Sequence, residues 1–171
     1  DNAILSLYQD RDGAIWVGTK TALHRLDPQS NRFERYPSAS VLTMFEDRLG
    51  TFWVGTTDVL FTFDRGSGRF TRVRPIIVHA ICQDSAGTLW FGTDGAGLDW
   101  LEAGTMPDRY EIGLFGHYDA HTPGTLSNDT VRAVYQDAEG ALWLGTDGGL
   151  DRLDLETGQF SHYRYDASDP S

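Results

Sequence analysis

One phrase, Gln/Glu-Asp-x-x-Gly-x-x-Trp-x-Gly-Thr, occurs four times in this chain, at residues 9–19, 46–56, 83–93 and 136–146. Its tryptophans, Trp16, Trp53, Trp90 and Trp143, are spaced by 37, 37 and 53 residues, so an insertion separates the third and fourth copies. A phrase returning about every 40 residues marks one supersecondary unit copied several times. Such units lack a private core and must stack to bury their apolar faces.

Each copy reads as four strands. The first alternates apolar residues up to the acidic pair, at residues 4–8, 41–45, 78–82 and 131–135. A tight turn follows, closed by Gly13, Gly50, Gly87 or Gly140, where a left-handed backbone would make a Cβ clash. The second strand carries the Trp, and the third alternates with period two from Leu23, Leu60, Leu98 and Leu150. The fourth is short and aromatic, around Phe33, Phe70, Tyr110 and Phe160. No segment keeps an apolar period of 3.6 residues, so helix is not expected.

Four antiparallel strands with one large aromatic at a fixed place describe a β-propeller blade. The expected fold is therefore all-β, a propeller of four-stranded antiparallel blades with four blades in this chain. The blades fall at about 3–37, 40–74, 76–118 and 129–165, within a partial propeller spanning 1–171. The Trp rings are expected to fill the gaps between blades. Asp10, Asp47, Asp84 and Asp137 are expected to accept backbone N–H groups of the turns that follow them.

Charge narrows the partners. Asp and Glu outnumber Lys and Arg by 25 to 14, a net charge of −11, which repels phosphate backbones and argues against nucleic acid. No apolar run is long enough to span a bilayer, so this segment is not expected to insert. The single Cys82 has no disulfide partner and reads as a buried thiol. Its presence neither favours nor disfavours an oxidising compartment.

The copy boundaries also carry information. The stretch 118–129 leading into the fourth copy begins Tyr-Asp-Ala, and so does the stretch 165–171. The chain thus reads as a fragment of a longer propeller, cut at blade boundaries.

The fourth copy runs Asp137, Gly140, Leu142, Trp143, Gly145, Thr146, Gly149, Leu150, Arg152, Leu153, Asp154, Thr157, Gly158, Phe160. In this it resembles the two-component regulator propeller repeat, and the resemblance covers essentially the whole chain. It implies the extracytoplasmic (periplasmic) sensor region of a bacterial membrane receptor, such as a hybrid histidine kinase or a diguanylate cyclase. It also implies an oligosaccharide ligand, more blades than four, and downstream signalling domains that this chain lacks. The second copy departs from the family pattern at Asp58-Val59-Leu60, and the third is one residue longer at 94–98.

Other motifs fit less well. Sialidase-type Asp boxes place the Gly two residues after the Asp, whereas here it comes three after. Each repeat Trp is followed by Val, Phe or Leu, which excludes the tryptophan-aspartate repeat. The Asp10-Arg11-Asp12-Gly13 run lacks the downstream Glu of a calcium loop. The five His residues show no metal-ligand spacing, and there is no Gly-x-Ser-x-Gly elbow. No metal, cofactor or catalytic residue is expected, and a non-enzymatic ligand sensor is the leading reading. A dimerisation scaffold without ligand and a propeller-borne polysaccharide lyase or hydrolase are the alternatives.

Propeller ligands meet the channel mouth, at the loops between second and third strands and between one blade and the next. Positions there that differ from copy to copy are the candidate contacts: Lys20, Asp58, His79, Asp94, Asn128, Arg132 and Asp147. Four blades in a half-ring would leave two apolar faces open. Two copies are then expected to self-associate into a ring of eight; a compact four-bladed ring is the alternative.

Overall fold

The computed structural model describes residues 3–105 and 115–164. Four antiparallel sheets follow one another along the chain, each a simple meander of four strands. Blade one holds β1 (Ile4–Gln9), β2 (Ile15–Thr19), β3 (Ala22–Asp27) and β4 (Arg32–Pro37). Blade two holds β5 (Val41–Glu46), β6 (Phe52–Thr56), β7 (Leu60–Asp64) and β8 (Arg69–Arg74). Blade three comprises β9 (Val78–Gln83), β10 (Leu89–Thr93), β11 (Leu98–Leu101) and β12 (Gly116–Tyr118). Blade four comprises β13 (Val131–Gln136), β14 (Leu142–Thr146), β15 (Gly149–Leu153) and β16 (Phe160–Tyr163). The stretch around Tyr110, expected in the fourth strand of the third copy, lies outside the described residues.

The blades stack in order, with β1 against β5, β5 against β9 and β9 against β13. The turn glycines Gly13, Gly50, Gly87 and Gly140 have φ of 82°, 87°, 95° and 93°, the left-handed conformation their turns require. In each turn the Asp side chain accepts N–H groups with one oxygen, as Asp10 does from Ala14 at 2.8 Å. Its other oxygen takes the indole N–H of the Trp six residues on, at 2.8 Å for Trp16, 2.9 Å for Trp53 and Trp90, and 2.6 Å for Trp143. In the first three blades a buried carboxylate thus orients a buried ring, and neither is left unsatisfied; in the fourth both partners are half-buried.

The core is divided among the three gaps between blades. Trp16 packs with Val41, Met44, Phe52 and Phe63 of blade two, its ring 4.8 Å from Phe52 and 5.6 Å from Phe63. Trp53 packs with Val78, Leu89, Phe91 and Leu101 of blade three. Trp90 packs with Val131, Leu142, Leu144 and Leu153 of blade four. The second strands approach the next blade closely. A Cβ at Gly18, Gly55 or Gly92 would lie 2.7–2.8 Å from the carbonyl oxygen of Val41, Val78 or Val131.

The outermost faces are uncovered. Ile4 is 59% exposed where its counterparts Val41, Val78 and Val131 are fully buried, and Tyr135 is 65% exposed. Blades one and four therefore do not cover each other, which departs from the compact four-bladed ring. Cys82 is half-buried rather than buried, and that burial pushes its thiol up. Among the described residues no helix is long and apolar enough to cross a membrane.

Candidate functional site

At one end of each inner strand, the turn between second and third strands meets the segment that leads into the blade. The Thr57, Asp94 and Asp147 N–H groups donate to the Ser40, Ile77 and Thr130 carbonyls at 3.1–3.2 Å. This shared scaffold delivers two variable positions per blade to the same place: the second residue of the inner strand and the residue after the Gly-Thr. Blades one and two supply Leu5 with Lys20 and Leu42 with Thr57 there; blades three and four supply His79 with Asp94 and Arg132 with Asp147.

The polar pairs of blades three and four join into one network. Arg132 grips Asp147 with two hydrogen bonds, Nε to Oδ1 at 2.6 Å and Nη2 to Oδ2 at 2.8 Å. Its remaining Nη1 points to His79 Nε2 at 3.2 Å, and His79 Nε2 lies 3.6 Å from Asp94 Oδ2. Thr130 Oγ1 closes the circuit by donating to Asp94 Oδ1 at 3.3 Å. With its lone pair on Nε2 His79 accepts the Arg132 N–H, and with a proton there it can donate to Asp94. The Arg132 hydrogen bonds hold the Asp147 carboxyl below the usual carboxylate range, against a smaller opposing effect of desolvation.

Four of the seven positions expected from sequence therefore come together: His79, Asp94, Arg132 and Asp147. The other three do not join them. Asp58 accepts the Thr56 hydroxyl at 2.7 Å, and Asn128 accepts the Thr130 N–H at 2.8 Å, both local turn bonds. Lys20 is exposed in its turn, and its carbonyl accepts the Ser40 hydroxyl at 3.1 Å. Thr130 was not expected; it lies one residue before β13 and differs from Ser40 and Ile77 at the equivalent place.

Two buried carboxylates were also missed. Asp99 is bound by Arg74 and lies 2.8 Å from His117 Nδ1, while Asp151 takes the Ser127 N–H and lies 2.8 Å from His162 Nδ1. Both Asp residues stand opposite their His in the third-to-fourth-strand register. The shared repeat position, with a His across the strand, was the available signal. Both pairs lie within single blades and read as satisfied interior charges.

Two clefts lie elsewhere. One of about 410 Å³ lies between the first turns of blades three and four, lined by Asp84, Gln136, Glu139, Arg152 and Asp154. Asp84 and Gln136 there belong to the recurring phrase and are engaged in hydrogen bonds to Trp90 and Ser85. The histidine–arginine network, built from residues that change from blade to blade, is the better candidate for selective recognition. Among the described residues no cluster of three or more His, Cys, Asp or Glu is arranged to hold a metal.

Comparison with known proteins agrees with the propeller fold. The family model described as two component regulator propeller matches residues 1–21, 35–58, 74–95 and 125–148. No curated protein matches the chain. Among solved structures, the extracellular domain of the hybrid two component system BT4673 from B. thetaiotaomicron is 26% identical over 96% of this chain, with a TM-score of 0.74. That of BT3049 from the same organism is 21% identical over 96%, with a TM-score of 0.80. Streptogramin B lyase, at 20% identity over 96% and a TM-score of 0.69, shares the fold. This chain spans 22% of the BT4673 structure, 25% of the BT3049 structure and 55% of the lyase.

Proposed function

The chain belongs to the two component regulator propeller family, and from that premise we propose that it is a non-enzymatic, ligand-sensing propeller segment of a bacterial extracytoplasmic receptor. The ligand is an oligosaccharide or a comparably polar small molecule. The likeness to extracellular domains of two component systems supports the setting. The observation that carries the ligand reading is the convergence of His79, Asp94, Arg132 and Asp147 from four separate elements. Carboxylates, an imidazole and a guanidinium side by side offer donors and acceptors to sugar hydroxyls. The neighbouring inner-strand positions Leu5 and Leu42 provide apolar surface for the C–H faces of a ring.

Titration calorimetry of the chain against a panel of neutral and acidic oligosaccharides tests this reading. Heat of binding is expected for at least one member, and it should be lost in Arg132→Ala. Silence across the panel rejects it, and release of product from a polysaccharide would turn the reading toward a lyase or hydrolase.

A further inference from the structure

On the face of the first turns, arginines staple the joints between blades, and they do so unequally. The joint of blades one and two has two of them. Arg11 Nη1 donates to the Arg48 carbonyl at 3.1 Å and its Nη2 to that of Asp47. Arg65, in the turn after β7, pairs with Asp10 at 3.2 Å and with Glu46 at 2.7 Å. The joint of blades two and three keeps one staple. Arg48 Nη1 donates to the Ser85 carbonyl at 2.9 Å, while Ala103 stands at the place of Arg65. In the joint of blades three and four both positions have changed, to Ser85 and Leu155.

The cleft of about 410 Å³ opens at this third joint, and its size is that of a small-ligand site. Asp84, only 2% exposed, lines it. Among the described residues Asp84 Oδ2 takes the Trp90 indole N–H alone, whereas the same oxygen of Asp10 takes both Trp16 and Arg65. Glu139, Asp154 and Glu156 add further carboxylates to the lining. Asp154 caps its own turn by accepting the Glu156 and Thr157 N–H groups at 3.0 and 2.9 Å. The side chains of Glu139 and Glu156 have no hydrogen bond or ion pair among the described residues. Arg152 is the one cation in the lining, and its guanidinium lies over the Trp143 ring, 5.9 Å from the ring centre. The cleft is therefore strongly negative, with a buried acceptor at its wall.

We propose that this cleft binds a guanidinium group from outside the chain, seated as Arg65 is seated in the first joint. The equivalent residues there already ligate a guanidinium, with Asp10 in the place of Asp84 and Glu46 in the place of Gln136. Asp84 supplies the buried acceptor, and the unpaired Glu139 and Glu156 supply charge at the exposed rim. A planar fork of N–H donors matches carboxylate oxygens better than a compact ammonium does. The group belongs to a free guanidino compound or to an arginine of a partner polypeptide. Asp84 and Gln136 stand at the C-terminal ends of β9 and β13, while His79 and Arg132 stand near the N-terminal ends of the same strands. The cleft is thus a separate site, and the inference is independent of oligosaccharide binding.

Titration calorimetry of this chain at low salt tests it with three probes: agmatine, the peptide acetyl-Gly-Arg-Gly-amide, and its citrulline counterpart, which keeps the shape and loses the charge. Heat is expected from agmatine, from the arginine peptide or from both, and none from the citrulline peptide. Binding of agmatine supports the site with a free guanidino compound as its ligand; binding of the peptide alone supports it with a partner's arginine. Ser85→Arg and Leu155→Arg each restore one staple of the earlier joints and should weaken guanidinium binding about tenfold or more. Ser85 is exposed, so that variant keeps the fold even where Leu155→Arg does not. Silence of both guanidinium probes overturns the proposal, and so does equal binding of the citrulline peptide. Binding unchanged in Ser85→Arg places the guanidinium elsewhere and overturns it too. Arg132→Ala should leave this binding unaltered, which separates its outcome from that of the oligosaccharide reading.

Discussion

Asp10 Oδ2 accepts the indole N–H of Trp16 at 2.8 Å while its Oδ1 takes the Ala14 N–H at 2.8 Å, so one carboxylate fastens the turn and aims the ring. The three other copies repeat this clasp. It explains why the Asp and the Trp recur together: an indole filling a gap between blades must satisfy its N–H without water.

Breaking the clasp should be costly. Asp47→Ala leaves the fully buried Trp53 indole N–H without its acceptor and removes the carboxylate that fastens the turn. A loss of about 2–3 kcal/mol is expected, since each buried unsatisfied donor costs about 1–3 kcal/mol. Urea denaturation followed by tryptophan fluorescence would measure it.

The tryptophans should not be equivalent. Trp53→Ala empties a fully covered gap and is expected to cost about 3–5 kcal/mol. Trp143→Ala should cost clearly less, because that ring is only half-buried. Equal midpoint shifts in the two variants would contradict this account of the core.

Gly92→Ala and Gly145→Ala form a matched pair. The added methyl meets the Val131 carbonyl at 2.8 Å in the first case and only an ordinary contact in the second. Overpacking of this kind costs about 1–3 kcal/mol. The loss is expected for Gly92→Ala alone, read as a fall in thermal midpoint under conditions where the chain is monomeric.

Acid should loosen the clasps. Burial raises the Asp10 carboxyl, but hydrogen bonds from Trp16, Ala14 and Arg65 outweigh it and leave it below its ordinary value. Asp137 is lowered chiefly by the Trp143 indole N–H, against a smaller effect of desolvation. A depressed carboxylate stabilises the fold above its unfolded pKa of about 3.9, and that contribution disappears as pH falls through the lower folded value. Stability should therefore hold near neutrality and fall below about pH 4. Replacing Asp137 with Asn should flatten part of that fall in a pH series of urea midpoints.

The ligand network should be separable from the fold. The Arg132–Asp147 pair is half-exposed, with side-chain exposures of 51% and 45%, and exposed pairs contribute about 0–1 kcal/mol. Arg132→Ala should thus keep the midpoint within about 1 kcal/mol while abolishing oligosaccharide binding. Loss of both together would assign Arg132 a structural role.

The blade and its strand order were legible in the chain, because strand alternation, turn glycines and the Asp–Trp phrase are local patterns repeated at a fixed period. The candidate site was only half legible. Variation among copies picked out seven positions, but His79 and Arg132 are 53 residues apart and meet only because inner strands β9 and β13 stack side by side. Asp58 and Asn128 looked equally free in sequence and are spent on their own turns. Which side chains remain available depends on hydrogen bonds made after the chain has turned. Likewise, sequence alone determined that each blade needs a neighbour, since four strands with one wedge-shaped indole cannot enclose themselves. Only the stacking of whole blades decided which faces found one, and it left Ile4 and Tyr135 at the two flanks without cover.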